Sequence, residues 1–169
     1  MALLRGINVG GRNTLSMGDL RALVERLGHE EVSTYIQSGN VVFSSRRRSP
    51  AALARSLEDG LADDLGVVAS VVVLSQGELA RAIRDDPFPA GADPKTVHAV
   101  FLVDDPTPKL QAAVKAADGP DRAKLAGRTL YVRTPAGFGT SKLAAELIRL
   151  SGGTARNRRT LSKLLELCG

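Results

Sequence analysis

The chain has 169 residues, 43% of them hydrophobic and 24% charged, with 23 Lys and Arg against 18 Asp and Glu for a formal charge of +5. Those proportions exclude disorder and fibrous repeats, and a chain of this length buries roughly 70% of its unfolded surface as one domain or two small halves. No apolar run reaches the roughly 18 residues of a membrane helix, and the opening Met1-Ala2-Leu3-Leu4-Arg5-Gly6 is charged too soon for a signal peptide. One cysteine, Cys168, and two distant histidines, His29 and His98, leave no disulfide framework and no metal site. The expectation is a cytoplasmic globule with no cofactor and no metal.

In chain order, residues 2–9 are largely apolar and read as a buried central strand. Gly10-Gly11 breaks it. Ser16 and Asp19 have capping-box spacing before the stripe Leu20, Leu23, Val24, Leu27, and Gly28 stands at the expected C-cap. Residues 32–37 and 41–45 are β-rich around Ser38-Gly39-Asn40, which reads as a tight hairpin. Ser49-Pro50 opens a helix with Leu53, Leu57, Leu61 and Leu65 on one face, closed by Gly66. Residues 67–74 form a fourth strand. The order β-α-β-β-α-β is the ferredoxin-like split unit.

Ser75 and Glu78 frame another helix to about Arg84, and the Pro-rich stretch 86–94 reads as a linker. A strand at 97–103, a helix from Thr107-Pro108, two strands joined near Gly127, and a helix from Thr140 or Ser141 follow. After Gly152-Gly153, Asn157 caps a last helix, which takes the place of a fourth strand. The predicted fold class is α+β: duplicated ferredoxin-like (β-α-β-β-α-β) halves with an additional C-terminal helix. The halves span 1–76 and 96–169, joined by a helix and linker at 77–95.

Four motifs carry a family resemblance. Ala2-Leu3-Leu4-Arg5-Gly6-Ile7-Asn8-Val9-Gly10-Gly11 resembles the opening motif of a bacterial family known only as domain-of-unknown-function family 1697. Thr34-Tyr35-Ile36-Gln37-Ser38-Gly39-Asn40-Val41-Val42-Phe43 is similar to its second motif, and Gly137-Phe138-Gly139-Thr140-Ser141-Lys142-Leu143 to its third. Arg156-Asn157 with Thr160, Lys163, Leu164 and Leu167 resembles the fourth, with Arg158 where the family usually has tryptophan. The resemblance implies a two-part α+β fold and a cytoplasmic protein; it implies no activity.

Neither glycine-rich stretch is a nucleotide loop. The first lacks G-x-G-x-x-G spacing, and in the other Ser precedes Lys, the reverse of a Walker motif. A glycine-rich turn entering a helix still presents free N–H groups to an anion. Arg5, inside an apolar strand, is either half of an ion pair or a ligand contact, and the nearby Asn8 and Gly10-Gly11 favour the contact. Gly6 lets another segment approach closely. Lys142 and Arg158 stand in first helical turns, where the dipole disfavours cations. These anomalies point to a small phosphate- or carboxylate-bearing ligand held by Arg5, Asn8, Arg12, Lys142, Arg156 and Arg158. An enzyme acting on a small anionic substrate at the same place is the alternative. Arg46, Arg47 and Arg48 read either as a solvated run or as a nonspecific nucleic-acid contact; few aromatics argue against base stacking.

Overall fold

The computed structural model describes residues 1–11, 13–47 and 49–169, so Arg12 and Arg48 lie outside the described residues. It is a mixed α+β protein with two four-stranded antiparallel sheets and, among the described residues, six α-helices. The chain forms two compact units, Met1–Glu78 with Leu164–Gly169, and Leu79–Lys163. No described helix is long and apolar enough to cross a membrane.

The first sheet is built from β1 (Ala2–Leu4), β2 (Glu30–Tyr35), β3 (Asn40–Ser44) and β4 (Val71–Val73), in the order β2-β3-β1-β4. Helices α1 (Met17–Arg26) and α2 (Pro50–Leu65) accompany it. Their starts follow from the sequence. The Ser16 Oγ accepts from the Asp19 N–H at 3.0 Å, and Ser49 precedes the helix-opening Pro50. Gly66 ends α2 in the left-handed region (φ 64). Leu20, Leu23, Leu57 and Leu61 bury against Ala2, Leu4, Val41 and Val71, which alternate onto one face of the sheet.

Three expectations for this unit are corrected. The first strand ends at Leu4 and does not run to residue 9, because Gly6 (φ 69) and Asn8 (φ 55) turn the backbone into a region no strand uses. Arg5 therefore lies in a bend past the strand and not inside it. Gly6 serves this turn and not a close approach, since a Cβ there would meet nothing within 4 Å. The close approach is at Gly39, where a Cβ would stand 2.6 Å from Ile7 Cδ1. The fourth strand shortens to Val71–Val73.

The second sheet comprises β5 (Val97–Phe101), β6 (Arg122–Ala126), β7 (Thr129–Arg133) and β8 (Thr154–Asn157), ordered β6-β7-β5-β8. Helices α4 (Pro108–Lys115) and α5 (Lys142–Ser151) cover one face, burying Leu110, Ala144 and Leu147 against Val100, Leu130 and Val132. Helices α3 (Gln76–Arg84) and α6 (Arg158–Leu167) complete the chain. A strand does stand before the last helix, contrary to the sequence reading: β8 pairs antiparallel with β5, Ala99 opposite Arg156. Of its four residues, Thr-Ala-Arg-Asn, only Thr favours a strand, and the distant β5 supplies the pairing. Gly153 permits it, since a Cβ there would fall 2.8 Å from the Phe101 carbonyl oxygen. Asn157 caps α6 as expected, its Oδ1 accepting from the Thr160 N–H at 2.8 Å.

Candidate functional site

Of the residues named from the sequence, Arg5 and Asn8 lie in the first unit and Lys142, Arg156 and Arg158 in the second. Arg5 is half-buried and its backbone N–H donates to the Ser70 carbonyl at 2.9 Å. The Asn8 amide ties its loop together. Its Nδ2 donates to the carbonyls of Leu15 (2.9 Å) and Gln37 (2.8 Å), and its Oδ1 accepts from the Leu15 N–H (2.9 Å). Asn tolerates the left-handed backbone at this position better than most residues. The Asn40 Nδ2 likewise braces the β2–β3 turn, donating to the Tyr35 carbonyl and the Ser38 Oγ, each at 2.9 Å. Arg12 lies outside the described residues.

The two helix starts in the second unit each meet a carboxylate of the chain. At α5, the Ser141 Oγ accepts from the Ala144 N–H at 2.9 Å and donates to Asp121 Oδ2 at 2.6 Å. Asp121 is the negative group that a helix N-terminus bearing Lys142 calls for; Lys142 itself is exposed. At α6, Arg158 donates from Nε (2.9 Å) and Nη2 (2.7 Å) to Asp86 Oδ2, and to the carbonyls of Pro89 (3.0 Å) and Phe88 (3.2 Å). Arg158 thus clamps the segment after α3. Arg156 on β8 is only 8% exposed, and burial lowers its guanidinium to about 10, still protonated at neutral pH.

The second sheet carries further cations that the sequence reading passed over. Arg122 and Lys124 on β6 and Arg133 on β7 join Arg156, and no strand of this sheet contains an acid. Arg122 stands directly opposite Arg133, and Tyr131 opposite both Lys124 and Ala99. Alternation then places all four cations on one face, the face away from α4 and α5. The signal was in the sequence: a two-residue turn at Gly127-Arg128 fixes the register and puts 122 across from 133. Tyr131 lies on the same face, its hydroxyl donating to the Ala82 carbonyl at 2.8 Å. Burial first, then Asp85 and Asp86, push that phenol up to about 12.

Elsewhere, Arg46 and Arg47 are exposed, Arg46 lying 3.9 Å from Glu30, while Arg48 is outside the described residues. Arg47, Phe43, Leu53, Leu74 and Cys168 are among the residues lining a cleft of about 430 Å³ in the first unit. Burial pushes the Cys168 thiol up, away from the thiolate a nucleophile needs. His98 stacks on Phe138 with ring centroids 3.9 Å apart, and burial holds it down to about 4. No group of three or more His, Cys, Asp or Glu is set to hold a metal among the described residues.

A family model described as protein of unknown function, DUF1697, matches residues 1–131. The chain belongs to this family. The DUF1697 match takes in the Arg5–Asn8 loop, the β2–β3 turn and the Arg122 side of the basic face, and stops short of Arg133, Lys142, Arg156 and Arg158. A solved structure of the conserved bacterial protein SP0830 from Streptococcus pneumoniae is similar to this DUF1697 chain, with a TM-score of 0.72 and 24% identity over 99% of this chain and 97% of that one. That likeness establishes a shared fold. No curated protein matches the sequence.

Proposed function

We propose that this protein binds a small phosphate- or carboxylate-bearing ligand. One observation carries the reading: three cations in its strands, Arg122, Lys124 and Arg133, share one face of one sheet, and the strands of that sheet hold no acid, while Arg156 on the same face donates to the Ala155 carbonyl at 2.8 Å. Like charges gathered this way repel one another and attract anions. Lys142 of the same unit stays in the proposal as a further cation that an anion could meet, whereas Asn8 and Arg158 spend their polar atoms on the chain itself.

Binding is favoured over catalysis because the titratable groups near this face are poorly poised. Tyr131 is buried and driven up to about 12, and His98 projects to the helix-covered side. A small ligand is favoured over nucleic acid because Phe101 and Tyr131, the aromatics on the two inner strands, are 3% and 2% exposed and so closed to base stacking. We also read the two units as duplicated ferredoxin-like halves, 1–76 and 96–169 about the 77–95 linker, since both sheets run second, third, first, fourth strand. The free thiol of Cys168 fits a reducing cytoplasm.

Melting temperature in phosphate or citrate, set against chloride at equal ionic strength, tests the reading. Millimolar affinity raises Tm by roughly 3–5 °C at tenfold excess over Kd, and the rise saturates. Equal melting in all three salts contradicts it.

A further inference from the structure

We infer that Arg122 and Arg133 form a two-arginine clamp for a phosphate dianion on the β6–β7 hairpin, an inference that rests on the anion-binding reading above and gives it a site. The two residues face each other across an antiparallel pair, so their Cβ atoms lie about 4.5–5.5 Å apart and both side chains leave the same face. The hairpin holds them firmly. Gly127 takes the left-handed conformation (φ 56) that its tight turn requires, and the Arg128 Nη1 pins that turn to the Val103 carbonyl at 2.9 Å.

Neither guanidinium has a hydrogen-bond or ion-pair partner among the described residues, and the Arg133 Nε is buried without one. An exposed cation on an edge strand needs no ligand to explain it, because charge there discourages edge-to-edge pairing. That accounts for Arg122 and Lys124 on β6. It does not account for Arg133, which stands on the inner strand β7. Asp86 pairs with Arg158 and Asp85 with Arg84, while Asp121 accepts from the Ser141 hydroxyl and keeps its charge at the start of α5. Among the described residues, then, two opposed guanidinium groups have no carboxylate within ion-pair distance.

The chemistry favours phosphate over carboxylate. One planar fork satisfies the two oxygens of a carboxylate, whereas a phosphate dianion offers three or more terminal oxygens and enough charge for two forks at once. Lys124, two residues along the same face, adds to the field.

Calorimetric titration of the full chain with inorganic phosphate, and separately with acetate, tests the clamp in wild type, Arg133→Met, Arg122→Gln and the first-unit control Arg55→Gln. The expected result is saturable phosphate binding by wild type and by the control, with acetate weaker and each clamp variant losing about tenfold or more in affinity. Melting in chloride checks the fold: both clamp variants should melt at or above wild type, because each relieves the repulsion between the pair. Phosphate binding unchanged in Arg133→Met and Arg122→Gln would overturn the clamp and leave the anion-binding reading standing. No saturable binding of phosphate by wild type, with no stabilisation by phosphate or citrate, would overturn both.

Discussion

Removing the Asp86 carboxylate strands Arg158, and the structure sets the size of the effect. The Arg158 and Asp86 side chains are 17% and 10% exposed, so the pair is screened little by solvent. Breaking a buried pair by deleting one partner costs roughly 3–5 kcal/mol. Three carbonyls, of Phe88, Pro89 and, at 3.5 Å, Ala90, remain as acceptors for the guanidinium, which places Asp86→Ala near the lower end, about 3 kcal/mol. For a chain of this size that is a fall in Tm of roughly 6–12 °C. Arg158→Met in the same background removes the stranded charge, so the double variant should recover part of the loss. The double-mutant cycle by urea denaturation should return a coupling of about 1–3 kcal/mol. A cost below about 1 kcal/mol for Asp86→Ala, or additive single effects, would show that the pair behaves as a surface ion pair and that Arg158 does not clamp the segment after α3.

Three further outcomes follow from local geometry. Asn8→Ala loses three side-chain hydrogen bonds and places a Cβ-bearing residue without a local partner at φ 55, for a cost of about 2–4 kcal/mol; Asn8→Gly, which accepts that backbone, should cost measurably less by urea denaturation. Gly153→Ala drives a Cβ to 2.8 Å from the Phe101 carbonyl oxygen and should lower stability by about 1–3 kcal/mol, with amide exchange accelerating first in β8. His98 stays neutral in the fold to about pH 4, against 6.5 when unfolded, so the unfolded state binds the extra proton and stability falls as pH drops from about 6.5 towards 4. The loss is on the order of 2–3 kcal/mol. His98→Phe should flatten that part of the stability profile, and a profile that keeps its slope would refute the assignment.

Local chemistry was legible wherever a residue acts on its own neighbours. The Ser16, Ser49, Thr107 and Ser141 caps, Pro50 and Pro108, and the left-handed Gly66 and Gly152 all stand where the sequence places them. What escaped depends on partners far along the chain. Strand β8 exists because β5 offers it a ladder, and nothing within Thr-Ala-Arg-Asn announces that. The first strand stops early because the backbone turns at Gly6 and Asn8, and the loop is held by Asn8 side-chain bonds to Leu15 and Gln37 that hydrophobic patterning does not encode. The sequence leaves open what negative charge meets the cations at the two helix starts. Asp121 and Asp86 supply it from within the chain, 20 and 72 residues away from their partners Ser141 and Arg158. The Arg122–Arg133 pairing was accessible from the Gly127 turn, because a two-residue hairpin fixes every pair above it.

The central claim is that the basic face of the second sheet takes an anion. A phosphate titration followed by two-dimensional NMR, reading the arginine Nε–Hε signals together with the backbone amides, tests it most directly. Binding at this face should shift the Arg133 and Arg122 Nε–Hε signals and the β6 and β7 amides along one saturating curve, leaving the Arg158 signal, locked on Asp86, in place. Shifts that are linear in phosphate and spread over exposed arginines such as Arg21, Arg55 and Arg149, with Arg133 unmoved, would contradict it.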